Sequence, residues 1–210
     1  MAWRGRPPYK LLSLLLQYPD ERLLSAREAI QEFVGDLPAS FERDRIRRFL
    51  DFWLKTPPTR LRQEYVETFD LARRSALYLS YYVHGDTRKR GVSLLRLKRM
   101  YAAAGLIKED GELPDYLPVM LEFAELAPAG YGERVLGEHR ISLELLRRTL
   151  AERKSPYVLL VEAVCHRLPG LNPLQRSDLA RLVTEGPPAE QVGLEPFAPP
   201  EVMPAMEVRT

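Results

Sequence analysis

The chain has 210 residues, of which 45% are hydrophobic and 29% charged, proportions that indicate a folded globular protein and argue against disorder of the whole chain. Its 31 basic and 29 acidic residues leave a net charge of +2, which excludes a general attraction to nucleic acid or anionic lipid and makes any function of charge local. The one cysteine, Cys165, excludes an intrachain disulfide and a multi-thiolate metal or iron–sulfur site, and it is consistent with a reducing, cytoplasmic location.

The N-terminal segment superficially imitates a signal peptide, because basic residues precede a short apolar run. That run stops at Gln17, and no small-residue cleavage site follows it. No window approaches the roughly 18 to 20 apolar residues that a bilayer-spanning helix needs. We therefore predict neither export by that route nor insertion into a membrane.

Apolar residues recur at three- and four-residue spacings almost throughout, and alternating β-branched runs are scarce. The pattern predicts an all-α protein, a single-domain bundle of about eight to ten helices over residues 1–186. The first helices are predicted over residues 9–18 and 20–34, the second of them stopped by Gly35. A third begins at Ser40 as its cap and carries these residues inward: Phe41, Ile46, Phe49, Leu50 and Trp53.

Residues 56–85 are predicted to form two helical stretches that end in a turn at Gly85. Their apolar positions are Leu61, Tyr65 and Phe69, and then Leu77, Tyr78 and Tyr81. Thr87 is predicted to cap the next helix, which reaches about residue 105 and has an apolar stripe of Leu94, Leu97, Tyr101 and Ala104. The cations on the opposite side of that helix are Arg88, Lys89, Arg96 and Arg99.

The polar connector "LIKEDGELPDYLP" follows, with Asp115 as the predicted N-cap of another helix and Pro118 deeper than the favoured first-turn position. A long amphipathic helix is predicted over residues 132–153. "SPYVLLVEAVCHRLPG" is apolar nearly all round and is predicted to be the central buried helix. After a last short helix in "NPLQRSDLARLVTEG", residues 187–210 are rich in Pro and Glu and predict an extended or disordered tail.

Catalytic and metal sites find little support in the pattern. Cys165 and His166 are neighbours and point about 100° apart on a helix, so a buried structural thiol is favoured over a nucleophile pair. The three histidines, His84, His139 and His166, are dispersed and match no ligand spacing. The acids of "KEDGELPD" lack the pattern of a calcium loop and favour a solvated acidic loop.

The stretch "HGDTRKRG" combines a turn, a cap and a cluster of cations, without the context of a phosphate-binding loop. Cations near a helix N-terminus are unfavourable toward the macrodipole, so other groups should recruit them. Two alternatives remain open. The partners are internal acids, for instance Asp70 or Asp115, or they belong to an acidic or carbonyl-rich peptide.

Two long motifs, "YVETFDLARRSALYLSYYVHGDTRKRG" and "ELPDYLPVMLEFAEL", resemble the NarJ family in order and spacing. These are the delta subunits of respiratory nitrate reductase, molybdenum-cofactor assembly chaperones related to the TorD-like redox-enzyme chaperones. The resemblance extends from "LLSLLLQYPDERL" to about Leu126, and "SPYVLLVEAV" resembles a later helix. Tyr116 stands where the family motif has a histidine.

The resemblance implies a TorD-like all-helical chaperone fold, no catalytic turnover and no cofactor of the protein's own. It implies binding of the N-terminal segment of the immature nitrate reductase catalytic (alpha) subunit. The apoenzyme would stay competent for insertion of the molybdenum cofactor and iron–sulfur clusters before membrane docking, and the chaperone would be absent from the finished enzyme. It further implies no nucleic acid partner and no stable membrane insertion, with weak self-association left open.

The residues that the resemblance places at the partner-binding surface come from both motifs. They are Tyr65, Phe69, Asp70, Arg74, Tyr78, Tyr82, His84, Gly85, Asp86, Arg88, Arg90, Gly91, Glu112, Leu113, Pro114, Asp115 and Glu122. The aromatic members would offer apolar surface with polar handles, and the charged loops would set register. The alternatives are a chaperone for another molybdoenzyme, a nucleotide-binding protein that uses the GDTRKRG loop, and a nucleic-acid binder that uses the cations of residues 88–99.

Overall fold

The computed structural model describes residues 8–106 and 111–188 of the chain. This part of the chain contains twelve α-helices joined by short turns. They are α1 (Tyr9–Leu15), α2 (Glu21–Ser25), α3 (Arg27–Asp36), α4 (Phe41–Lys55), α5 (Pro58–Tyr65), α6 (Leu79–His84), α7 (Arg88–Ala103), α8 (Leu117–Leu126), α9 (Tyr131–Glu138), α10 (Arg140–Glu152), α11 (Val158–His166) and α12 (Pro173–Glu185). The prediction of an all-α, single-domain protein is confirmed. Of the predicted tail, residues 189–210 lie outside the described residues.

The number of helices exceeds the prediction partly because the helix expected over residues 20–34 is divided at Ala26. Gly35 was predicted to stop it, and this is wrong, since α3 continues through Gly35. The helix ends at Asp36, and the next residue, Leu37, has an extended backbone with φ −64° and ψ 141°. Leu37 precedes Pro38, and the residue before a proline is driven out of helical geometry by the proline ring.

The long helix predicted over residues 132–153 is also divided, at His139, whose φ is −101° and ψ 20°. Its Nδ1 lies 3.1 Å from the carbonyl oxygen of Val135, one turn earlier. The break lets the two halves pack on different parts of the bundle. Helix α9 packs chiefly on α8, and α10 packs on α11, α6 and α12.

Helix α11 lies at the centre of the bundle, as predicted. It packs most extensively on α4 and also contacts α10 and α1. Four of its residues are fully buried: Leu160, Val161, Ala163 and Val164. Helix α1 packs on α8, which completes the core on the other side. No helix among the described residues combines the length and the hydropathy needed to cross a bilayer.

Helix α4 begins as predicted, because the Arg43 N–H donates to Ser40 Oγ at 3.1 Å and so satisfies an otherwise free donor of the first turn. The apolar residues of its later turns are buried: Ile46, Phe49, Leu50 and Trp53. Phe41 was predicted to point inward, and this is wrong, since it is 38% exposed. Its ring stacks on the His166 ring at the surface, with 4.2 Å between centroids.

Helix α5 runs directly into a π-helical turn, Val66–Asp70, which is followed by a short 3-10 turn, Arg73–Ser75. The predicted apolar face of this region is confirmed, since Leu61, Tyr65 and Phe69 are all buried. Rings of Tyr65 and Phe69 lie 4.9 Å apart, and the Phe69 ring lies 4.8 Å from that of Tyr157 before α11. The π turn is therefore anchored in the core by aromatic packing.

A buried carboxylate ties together the surface of α10. Glu144 is only 8% exposed, and its oxygens accept hydrogen bonds from Arg147 (2.7 and 3.0 Å) and Arg148 (3.0 Å), with Arg140 at 3.6 Å. Burial acts to raise the pKa of Glu144, but the arginine hydrogen bonds and charges outweigh it and hold the pKa at about 2. Glu144 is thus ionised throughout the physiological pH range.

We predict that Glu144→Gln lowers the free energy of unfolding by about 3 kcal/mol at pH 7, because the lowered pKa measures the extra stabilisation of the ionised form. The folded-state pKa lies below the unfolded one, so this stabilisation is complete above about pH 5 and is lost as the pH falls toward 2. Urea unfolding at several pH values tests this. The control Glu185→Gln, which breaks an exposed pair with Arg181, should cost less than about 1 kcal/mol. A Glu144→Gln loss that did not shrink at low pH would contradict the argument.

Two glycines of α9 make a matched test of how closely α9 packs on α8. A Cβ on Gly132 would lie 2.4 Å from the Cα of Ala124, whereas one on Gly137 would meet nothing within 4 Å. Gly132→Ala should therefore lower the unfolding free energy by about 1–3 kcal/mol through overpacking. Gly137→Ala should raise it by about 0.5–1 kcal/mol, since alanine loses less conformational entropy in a helix. Equal effects in thermal unfolding of the two variants would contradict this packing.

Candidate functional site

The two sequence motifs meet through backbone hydrogen bonds in front of α6. Tyr78 and Tyr116 form an antiparallel bridge, in which the Leu79 N–H donates to the Asp115 carbonyl (3.0 Å) and the Leu117 N–H donates to the Leu77 carbonyl (2.8 Å). This bridge is the one β-type pairing among the described residues. The connector thus fixes the start of both α6 and α8.

Asp115 is fully buried and lies at the centre of this junction. Its Oδ2 accepts from the backbone N–H (3.2 Å) and the hydroxyl (2.5 Å) of Ser80. Arg90 of α7 approaches the same oxygen at 3.7 Å and donates to Ser80 Oγ at 3.3 Å. We call Ser80, Arg90 and Asp115 the clamp, because it joins α6, α7 and the connector.

Asp115 was predicted to cap α8, and this is wrong. Tyr116 occupies the N-cap position of α8, while the Asp115 carboxylate accepts an N–H from the first turn of α6, a helix distant in sequence. An uncapped helix start leaves backbone donors unsatisfied, so a buried acceptor from elsewhere in the chain can take the role of the local cap. Internal acids and a bound peptide were the two kinds of partner considered for the cations of this loop. Arg90 pairs with internal acids, since it lies 3.7 Å from Asp115 and 3.5 Å from Asp86.

The loop after α6 forms the turn predicted at Gly85, whose φ is +56°. A Cβ there would lie 1.8 Å from the Pro188 carbonyl oxygen, so only glycine fits both the backbone angle and the neighbouring chain. Thr87 occupies the N-cap position of α7 as predicted, but its hydroxyl does not cap the helix. It donates instead to the His84 carbonyl at 2.8 Å, which closes the turn.

A chain of tyrosine hydroxyls links the connector to the core. Tyr116 hydrogen-bonds Tyr65 at 3.0 Å, and Tyr65 in turn donates to the Leu16 carbonyl at 3.2 Å. Burial raises the pKa of both phenols, so they stay neutral. Tyr78 packs on Tyr116 with 5.3 Å between ring centroids and donates to Glu112 Oε2 at 2.9 Å. Where the family motif has a histidine, this chain therefore uses a neutral hydroxyl.

The structure separates the proposed partner-binding residues by exposure. The exposed ones are Asp70, Arg74, Asp86, Arg88, Gly91, Glu112 and Leu113, the half-buried ones are Tyr78, His84, Arg90 and Glu122, and the buried ones are Tyr65, Phe69, Tyr82, Gly85, Pro114 and Asp115. The expectation that Tyr65, Phe69 and Tyr82 offer apolar surface does not fit their burial, since they are 4–6% exposed. They support the surface from inside. Glu122 lies apart from the clamp, paired with Lys10 of α1.

Sequence reasoning missed a groove beside α6 with a volume of about 310 Å³. Its walls come from the 3-10 turn, α6, α10 and the end of α12. The lining residues are Arg73, Arg74, Tyr81, Tyr82, Leu145, Arg148, Thr149, Glu152, Leu182, Val183, Gly186 and Pro187. We call it the Arg74 groove. The apolar residue type of Val183 was the one signal for this groove in the sequence. In the structure Val183 is 53% exposed on α12.

A second cavity, of about 380 Å³, lies on the other side of α6 against α7 and the junction of α9 and α10. His84 and His139 both line it. Burial lowers the pKa of each histidine, aided at His84 by the charge of Lys89, so both are neutral at pH 7. Among the described residues, no group of three or more His, Cys, Asp or Glu is arranged to hold a metal ion.

Cys165 is buried, as predicted, and burial raises the pKa of its thiol to about 11. The neighbouring His166 points elsewhere, with its Nδ1 2.8 Å from Glu42 Oε1. Glu42 also contacts Arg167 at 2.7 Å and is 2% exposed. The thiol is therefore protonated at neutral pH, and its sulfur accepts from Arg140 Nη1 at 3.6 Å, which fits a structural role.

Residues 35–161 match the family model described as the nitrate reductase delta subunit. The chain is 36% identical over 157 residues to the nitrate reductase-like protein NarX of Mycobacterium tuberculosis, covering 75% of this chain and 24% of that protein. It is 31% identical over 156 residues to the probable nitrate reductase molybdenum cofactor assembly chaperone NarJ of Bacillus subtilis, covering 74% of this chain and 85% of that one.

The assembly chaperone NarJ of Escherichia coli K12 is 31% identical over 155 residues, with 72% of this chain and 65% of that protein covered. The matched part thus amounts to about a quarter of the length of NarX and most of the length of the Bacillus protein. The family match over residues 35–161 includes α4 to α10 and both sequence motifs.

We predict that Asp115→Ala lowers the free energy of unfolding by about 3 kcal/mol, because it leaves Arg90 and the Ser80 N–H without their buried acceptor. Urea unfolding followed by circular dichroism measures the loss. Amide hydrogen exchange at Leu79 and Ser80 should accelerate more than exchange in α11. The control Asp86→Asn removes a carboxylate that is 69% exposed and should cost less than about 1 kcal/mol. Similar losses in the two variants would show that the clamp is not the anchor.

Proposed function

This chain belongs to the nitrate reductase delta subunit family, and on that premise we propose that it is a chaperone for nitrate reductase assembly. It acts on the immature catalytic subunit in the cytoplasm before the molybdenum cofactor is inserted. The observation that carries the proposal is the family match over residues 35–161, together with relatives named as molybdenum cofactor assembly chaperones. Membership in this family makes the protein an assembly factor and not an enzyme.

In finer detail, the protein binds the N-terminal segment of the catalytic subunit. It keeps the apoenzyme competent for insertion of the molybdenum cofactor and iron–sulfur clusters, and it is absent from the finished enzyme. The Arg74 groove supports the first part of this proposal, because its volume suits a few side chains of an extended or helical segment rather than a folded domain.

The chemistry of the groove fits an amphipathic segment. Leu145 and Val183 supply apolar contact, and Tyr81 adds a ring. Arg73 and Arg74 are exposed at the rim, where their guanidinium groups can meet carboxylates or terminal carbonyls of a bound segment. Apolar burial would supply affinity, and the arginines would set direction and register.

The clamp supports the groove from behind. Tyr82 of α6 is buried under the groove and donates its hydroxyl to the carbonyls of Arg74 (3.1 Å) and Ala76 (2.9 Å). Because Ser80 of the same helix is held by Asp115, the wall of the groove is fixed before any segment binds. A preformed site loses less entropy on binding.

The contacts of the GDTRKRG loop do not favour a nucleotide-binding site there. Arg90 is already engaged by Asp86 and Asp115, and Gly85 lies against the Pro188 carbonyl. A phosphate cradle needs open backbone N–H groups and free cations. Guanine nucleotide titration should accordingly give only weak, promiscuous binding.

Calorimetry with a peptide that copies the N-terminus of the client catalytic subunit tests the groove. We predict that Arg74→Glu with Val183→Ser weakens binding by at least about tenfold, since both the rim charge and the apolar contact are lost. The matched control, Arg22→Glu with Leu174→Ser, changes an exposed arginine and an exposed leucine outside the groove and should leave affinity within about twofold. The double variant Tyr65→Ala with Phe69→Ala cannot serve as a test of peptide binding. Both rings lie in the core, so removing them would destabilise the fold itself.

Binding that is absent in the wild type, or equally weakened by the control, would overturn the assignment of the groove. The wider proposal has a separate test, a pulldown from cells respiring on nitrate. We expect the immature nitrate reductase catalytic subunit to be the dominant partner. Recovery of another molybdoenzyme in its place would overturn the choice of client and leave the groove result standing.

A further inference from the structure

Helix α7 has an unusual distribution of charge. Its sixteen residues, "RKRGVSLLRLKRMYAA", contain six cations and no acid, although the whole chain has a net charge of only +2. Arg90 is paired with Asp86 and Asp115, and Arg96 is paired with Glu138. The formal charge of this helix, +6, therefore exceeds the net charge of the whole chain.

The packing of α7 leaves a broad outward face. The helix packs chiefly on α6, and its buried residues are Leu97 and Tyr101. Lys89, Lys98 and Arg99 are exposed, and no carboxylate of the described residues pairs with them. This helix thus presents cations to solvent along about 24 Å, the length expected for sixteen residues.

Apolar side chains lie among those cations. Val92 is 70% and Leu95 49% exposed. At about 100° per residue they point within about 60° of each other, on the same ridge as Arg88 and Arg99 and opposite to Leu97. The outward face therefore alternates cations with aliphatic groups. The described structure gives Val92 and Leu95 no core to pack against.

We propose that the outward face of α7 docks on an anionic lipid surface. A basic helix with apolar residues on the same exposed face is suited to the headgroup region, where cations meet lipid phosphates and aliphatic side chains enter the acyl boundary. The outer side of a single helix is convex, which fits a plane of headgroups better than an acidic peptide. Nucleic acid would satisfy the cations but would offer nothing to Val92 and Leu95.

The docking is peripheral and involves no insertion of a helix across the bilayer. It orients the protein with α6 and the clamp behind α7, so the Arg74 groove, on the far side of α6, stays open to solution. This inference does not depend on the identity of the client, because it rests on the charge and exposure of α7 alone.

Vesicle flotation with the full chain tests the proposal. The wild-type protein should float with vesicles of phosphatidylcholine that contain one third phosphatidylglycerol. It should not float with vesicles of pure phosphatidylcholine. Lys89→Glu, Lys98→Glu and Arg99→Glu together should lower partitioning on the order of 100-fold, given the contribution of each cation near an anionic surface. Val92→Ser with Leu95→Ser should also lower it, at unchanged net charge.

The matched control reverses three exposed cations of α4, with Arg47→Glu, Arg48→Glu and Lys55→Glu. It has the same change in net charge and should stay within a few-fold of wild type. Circular dichroism and thermal melts check that every variant is folded. Absence of flotation, equal loss in the control, or indifference to Val92→Ser with Leu95→Ser would overturn the proposal. So would tighter binding to poly-glutamate or to an oligonucleotide at the same salt concentration.

Discussion

A single buried carboxylate organises the functional half of this protein. Asp115 is removed from water, and burying a polar group is costly unless it finds hydrogen-bond donors. Those donors are Ser80 on α6 and Arg90 on α7. Because each donor belongs to a different helix, the contacts of the Asp115 Oδ2 atom set the relative positions of α6, α7 and the connector before α8.

The surfaces that we assign to function follow from that junction. Helix α6 lies between the Arg74 groove and the cavity that contains His84 and His139. Helix α7, held at its first turn by Arg90, presents its other cations outward. Tyr65 and Phe69, which the family motif places at the surface, instead form part of the core that supports the π turn. The motifs thus describe a scaffold as much as a contact surface.

Much of the helical architecture was predictable because its signals are local. The Ser40 cap, the turn at Gly85 and the apolar periodicity of α11 each depend on a few neighbouring residues. The errors have a common cause. Asp115 is a residue type that often caps the helix following it, but here it accepts from a helix that is distant in sequence. His139 divides a helix although the apolar periodicity continues across it. Phe41 has a core residue's chemistry but stacks on His166 at the surface.

The sequence by itself determined the all-α class, most of the helices and the family to which the chain belongs, since helical periodicity and motif order are properties of consecutive residues. The tertiary structure decided which acid meets Arg90, which tyrosines are buried, and where Arg74, Tyr81 and Val183 converge to form a groove. These outcomes join residues that are far apart in the chain. The physical reason is that a buried polar group must find its partners wherever the fold brings them, and periodicity along the chain carries no record of that choice.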